Sequence, residues 1–130
     1  MAKMLGVWMD INNPNRSPSD DLNLTVGGTI RLTSAELAKV PPGALFNVKV
    51  KVMDSDTFSD DLVHSDNSFS IGIRSDNQPF MTGIIVPATA LKNSEPSYEK
   101  YAEIYCRVAA GNGTLSTNAS NSRTVDIRIR

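Results

Sequence analysis

Apolar and polar residues alternate along much of this chain, and the alternation comes in short runs. Phe46, Val48, Val50 and Val52 are separated by Asn47, Lys49 and Lys51, the period-two pattern of a strand with one face in a core and one in water. Phe69, Ile71 and Ile73 repeat it against Ser68, Ser70 and Arg74, and Leu5, Val7, Met9 and Ile11 do so near the start. Ala102, Ile104, Cys106 and Val108 form an apolar row opposite Tyr101, Glu103, Tyr105 and Arg107. Val125, Ile127 and Ile129 close the chain against Asp126, Arg128 and Arg130. Shorter candidates are Leu22 to Val26, Thr29 to Leu32 and Pro79 to Val86.

Turn residues punctuate these runs at Gly27-Gly28, Pro41-Pro42-Gly43, Ser75 to Gln78 and Gly111-Asn112-Gly113. Regularly spaced short strands predict an all-β fold, a single antiparallel β-sandwich domain over residues 1–130 with about seven or eight strands. Helix is scarce, its best candidate a turn or two at Ser34 to Lys39, where Thr33 and Glu36 have capping-box spacing and Pro41 blocks continuation. Strand parity then puts Asn12 to Asp21, Asp54 to Asn67 and Pro87 to Glu99 at one end of the sandwich. Ser75 to Gln78 and Ala110 to Ser122 fall at the other.

Composition narrows the function classes. With 13 basic against 14 acidic residues the chain lacks the cationic surplus that phosphate neutralisation requires, so nucleic acid is not an expected partner. No apolar run approaches the length of a transmembrane helix. Met1 to Ile11 holds one Lys and is interrupted by Gly6 and Asp10, a poor secretory leader. The expected setting is a soluble protein, cytoplasmic at synthesis, exported without a cleaved leader, or a mature fragment. Cys106, the single cysteine, forms no internal disulfide and falls on an apolar face as an inert thiol.

The conspicuous chemistry is acidic. Asp54, Asp56, Asp60, Asp61 and Asp66 place five of the fourteen acidic residues within thirteen positions. Crowded carboxylates repel one another unless solvated or neutralised, and Ca²⁺ takes six to eight such oxygens in flexible geometry. The expected metal ligands are these five carboxylates, with Ser55, Thr57 and backbone carbonyls filling in and Asp10, Asp20 or Asp21 contributing from the neighbouring loop. An EF-hand is excluded, because the central Gly and terminal Glu of its loop are absent. The alternative is a solvated hairpin loop in which Asp and Ser cap turns.

The run Val50-Lys51-Val52-Met53-Asp54-Ser55-Asp56, then Phe58-Ser59, then Asp61-Leu62-Val63 resembles the third calcium loop of the C-two domains, the calcium-dependent phospholipid-binding β-sandwiches. The likeness covers about fifteen residues of the 130. It implies metal-ligand roles for Asp54, Asp56 and Asp61, and an anionic lipid as a partner.

Catalytic patterns are missing. His64 is the only histidine, a surface-loop residue on this reading, and no Gly-x-Ser-x-Gly elbow or phosphate-cradling Gly loop occurs. No enzyme is expected. Trp8 falls on the polar face of its strand with Met4, Gly6 and Asp10, where it either packs or stacks on a glycan. Arg123, Arg128 and Arg130 with Lys3 and Arg16 make either a modest basic patch or guards on an edge strand. Two functions remain. One is a binding module presenting its loops to a lipid, glycan or protein. The other is an assembly subunit of a particle, filament or secreted complex that self-associates through edge strands into a homo-oligomer.

Overall fold

The computed structural model describes residues 1–56 and 59–130. The strands are β1 (Lys3–Ile11), β2 (Leu22–Arg31), β3 (Leu45–Asp54), β4 (Asp61–Gly72), β5 (Asn77–Val86), β6 (Tyr101–Gly111), β7 (Ser120–Asn121) and β8 (Val125–Arg128). Two six-residue helices, α1 (Ser34–Lys39) and α2 (Ala88–Asn93), complete the elements. One antiparallel sheet has the order β1-β2-β5; in the other, β4, β3 and β6 lie side by side and β7 and β8 share the far side of β6. The fold is the expected all-β sandwich.

The alternation read from the sequence builds the core. Phe46, Val48, Val50 and Val52 of β3 and Ala102, Ile104, Cys106 and Val108 of β6 meet Leu22, Leu24, Val26 and Ile30 of β2 and Phe80, Ile84 and Val86 of β5. Each Val, Leu, Ile or Phe among them contributes roughly 1.5–3 kcal/mol by leaving water. The α1 capping box forms as expected, with Glu36 N–H donating to Thr33 Oγ1 at 3.1 Å and Thr33 N–H to Glu36 Oε1 at 2.9 Å.

Three local expectations are corrected. Gly27-Gly28 is not a boundary: β2 runs straight through it, because Trp8 lies over Gly27 on the outside and Phe80 and Met4 crowd Gly28 on the inside. Met4 is buried in the core, not on the polar face. Gly6, with φ +59°, supplies an extra residue between the pairs Leu5↔Thr29 and Trp8↔Gly27, and this bulge reverses the parity of β1. Asp61 to Asn67 is strand, not loop, so His64 lies on β4 opposite Val52. An edge strand is held by its backbone pairing to β3 and needs no apolar row, so the pattern hid it.

Outside Asp61 to Asn67, the loops fall at the expected ends. Ala88 N–H donates to Asp21 Oδ1 at 3.1 Å, which joins the Asn12 to Asp21 loop to the start of α2. At the opposite end Leu32 N–H donates to Asp76 C=O at 2.9 Å. Along one side the sheets are tied by an Ala2↔Thr117 bridge and by Met4 N–H donating to Asn118 Oδ1 at 3.1 Å. Along the other side β4 and β5 lie as two edges, with the Phe69 and Phe80 rings 6.4 Å apart. Among the described residues no helix is long and apolar enough to cross a membrane.

Candidate functional site

The acidic residues are delivered by the end of β3. Even-numbered side chains of this strand point inward, and Asp54 continues the row of Phe46, Val48, Val50 and Val52 into the mouth of the sandwich. It is 1% exposed, the one charged residue in the core among the described residues, and among them neither carboxylate oxygen has a partner within ordinary hydrogen-bond distance. Its neighbour is Glu95, just beyond the C-terminal end of α2. Two carboxylates repel, and they bond to each other only when one carries a proton. Burial, ahead of the nearby Asp61 and Asp56 charges, raises the Asp54 carboxyl, while bonding to Glu95 and Ser94 opposes the rise. Glu95 is pushed up to about 7, first by its hydrogen bond with Asp54, then by burial and by the surrounding negative charge. With both carboxyls raised, a proton shared between them relieves their repulsion at this buried place.

The other expected ligands are dispersed. Asp60 Oδ1 accepts the backbone N–H of Asp56 at 3.2 Å, and its Oδ2 accepts the Tyr105 hydroxyl, to which Arg107 Nη2 donates at 3.2 Å. These bonds, Tyr105 first, hold the Asp60 carboxyl below its usual range. Asp66 accepts Ser68 N–H and Oγ–H at 2.8 and 2.7 Å and is likewise lowered. It pairs across from Val50, roughly 13 Å along the sheet from Asp54. Asp61 stands opposite Asp54 on β4, and Asp56 is exposed beyond the strand end. Asp54 therefore faces the core and Asp56 faces water, so the two carboxylates do not point the same way. Asp21 caps Ala88, Asp20 Oδ2 accepts Ser17 N–H at 3.2 Å, and Asp10 lies opposite Thr25. Thr57, an expected ligand, and Phe58, part of the calcium-loop resemblance, lie outside the described residues. Among the described residues no three acidic, histidine or cysteine side chains already converge on one point to hold a metal.

What sequence reasoning missed is Glu95 and the cleft beside it. Asp56, Glu95, Glu99, Glu103 and Asp126, with Ser55 and Tyr101, line an open cleft of about 500 Å³. Glu103 and Asp126 face each other across β6 and β8, and Ser55 N–H donates to Glu103 C=O at 2.7 Å. The signal was present in the odd-numbered row of β6, whose acidic member points out of the core. Nothing in the pattern, however, placed Glu95 next to Asp54. A larger cleft of about 600 Å³ lies on the outer face of β3 and β6, but Lys49 is its only charged lining residue.

Of the basic residues, Arg16, Arg128 and Arg130 lie together, each bonded to backbone carbonyls, and Lys3 stands apart. Arg130 donates from Nη1 to the Pro96 carbonyl at 2.8 Å and from Nη2 to the Lys92 carbonyl at 2.9 Å, clamping the C-terminal end of α2. Arg16 Nη1 donates to Arg128 C=O at 2.8 Å, while Lys3 sits at the other end of β1, opposite Arg31. Cys106 is buried against Met9, and burial pushes its thiol up to about 12, too high for a nucleophile at neutral pH. No protein-family model, curated protein or solved structure matches this chain.

Proposed function

We propose that the chain is a non-enzymatic β-sandwich binding module whose acidic end takes a hard divalent cation, Ca²⁺ by its ligand chemistry, at Asp54 and Glu95. The observation that carries this reading is Asp54, a buried carboxyl with no partner within ordinary hydrogen-bond distance on either oxygen among the described residues. Burial of such a group is costly until a positive charge reaches it, and a cation is the alternative to a shared proton. Asp56 and Asp61 are near enough to influence the Asp54 carboxyl electrostatically, and either completes the site by turning inward. Asp60 and Asp66, engaged by Tyr105 and Ser68, stay outside it.

The reading also constrains the partner. A cleft lined by five carboxyl groups repels an anionic lipid headgroup or an acidic glycan unless a cation bridges the two. Binding of an anionic lipid or acidic glycan at this end is therefore calcium-dependent, whereas a protein partner would approach with basic side chains.

The test is thermal unfolding in about 5 mM Ca²⁺ against EDTA. A ligand at about a hundredfold over its dissociation constant stabilises the native state by about 2.7 kcal/mol, which is several degrees for a domain of this size. The shift is expected to vanish in Asp54→Asn and Glu95→Gln and to survive in Asp60→Asn. No shift in the unaltered protein, or a shift that persists without Asp54, overturns the proposal.

A further inference from the structure

Four regions end the two sheets, and three of them are blunted against pairing with another chain. β1 is interrupted by the bulge at Gly6, carries Lys3 and Asp10, and is tied to the Thr117 segment. β4 contains two register shifts and carries Asp61 and Asp66. β7 and β8 run for only two and four residues, with Asp126 and Arg128 on the latter. β5 is different. Its ten residues keep unbroken register with β2 from Leu22↔Val86 to Arg31↔Asn77, and none carries a charge. Charges, bulges and short length are the usual protections of a free edge, and of these β5 has none.

The direction of its free backbone groups follows from one hydrogen bond. Leu32 N–H donates to Asp76 C=O, so in the antiparallel alternation the even-numbered residues bond to β2 and the odd-numbered ones point to the open edge. Pro79, which has no N–H, occupies an odd position, where β2 loses nothing by it. It is the one guard on this edge and leaves the segment after it open. Met81, Gly83 and Ile85 therefore direct their N–H and C=O groups away from the molecule. Their side chains stand on the outer face, with Met81 63% and Ile85 62% exposed.

We propose that a second copy of this chain adds to this edge, with β5 running antiparallel to β5 about a two-fold axis at Gly83. In that register Met81 of each copy stands opposite Ile85 of the other, and Gly83 faces its own copy with no side chain between them. Met81, Gly83 and Ile85 of the two copies then exchange about six inter-chain hydrogen bonds. The match is also electrostatic. Two β5 strands meet without opposing like charges, whereas β4 paired with itself would bring Asp61 and Asp66 against other carboxylates. Joining the edges turns a three-stranded sheet into a continuous six-stranded one, within the common range. The inference is independent of the cation site, which lies at the end of β3.

Light scattering on the full chain after size exclusion tests it. The unaltered protein is expected at twice its 14.1 kDa chain mass. Ile85→Lys and Met81→Lys, changed at exposed positions, are expected as folded monomers with unchanged thermal unfolding at low concentration. Cysteine placement then tests the register. Gly83→Cys should crosslink to its own copy on oxidation, since facing residues of a hydrogen-bonded pair lie about 5.5 Å apart, within disulfide range. Met81→Cys should not, its two copies being roughly 14 Å apart along the strands. Cys106 is buried and does not compete. A protein that stays monomeric up to millimolar concentration, a dimer untouched by Ile85→Lys, or crosslinking by Met81→Cys but not by Gly83→Cys overturns the proposal.

Discussion

β4 and β5 are neighbours along the chain and lie as the two edges of the same open side of the sandwich, yet they are built on opposite principles. β4 is acidic, bulged twice and half-exposed, and it is held by its pairing to β3. β5 alternates cleanly, buries Phe80, Ile84 and Val86 on its inner face, and leaves Met81 and Ile85 bare on its outer one. The contrast separates two sources of strand structure. One strand is specified by what its side chains bury; the other is tolerated because its backbone has a partner and its charges discourage a second.

The largest expected effect tests that division directly. Phe80 and Phe69 touch across the gap between the sheets, but only Phe80 is fully in the core. Phe80→Ala should cost about 3–5 kcal/mol in urea unfolding, and Phe69→Ala no more than about half of that. Equal costs would mean that β4 is anchored by its side chains after all.

A smaller effect contrasts two glycines on neighbouring strands. A Cβ at Gly27 would lie 2.4 Å from the Trp8 indole, whereas at Gly83 the nearest atom is the Leu24 carbonyl oxygen at 3.9 Å. Gly27→Ala should therefore displace the indole, at about 1–3 kcal/mol, and shift Trp8 fluorescence to the red. Gly83→Ala should be neutral or stabilise the monomer by about 0.4–1 kcal/mol through the unfolded chain. An unshifted spectrum in Gly27→Ala would mean that Trp8 does not cover this glycine in solution.

The same division explains what could be read without a structure. β3, β5 and β6 are legible because their buried rows leave a period-two trace, β2 only as two pieces on either side of Gly27-Gly28, and α1 because its capping box is local chemistry. The burial of Asp54 is not anticipated by the pattern, which places it at the start of a loop, although its even number continues the inward row of β3. The first half of β4 carries no apolar row to read. α2 is six residues long and is capped at Ala88 by Asp21, sixty-seven positions away. Glu95 follows that helix, so its meeting with Asp54 depends on tertiary contacts that no local pattern encodes.

That meeting also joins the two edges, because Asp61 begins β4 opposite Asp54 and Glu95 lies in the segment that leaves β5. Its pH dependence is the smallest effect expected. The Glu95 carboxyl rises from 4.5 to about 7 on folding, so between those values the native state keeps a proton that the unfolded chain releases. The stabilisation is complete below about pH 4.5 and is lost as the pH climbs through about 7. Asp54, also raised, acts with the same sign, whereas Asp60 and Asp66, both lowered, act only under more acidic conditions. Glu95 is partly exposed, so solvent screening limits the change to a few degrees in Tm. Between pH 5 and 8 the melting temperature of the unaltered protein should fall in EDTA. In Glu95→Gln, whose amide donates to Asp54 at every pH, the slope should flatten and the protein should melt higher at pH 8. If the variant keeps the slope of the unaltered protein, the proton is not held between Asp54 and Glu95, and the two edges are joined at this end by packing alone.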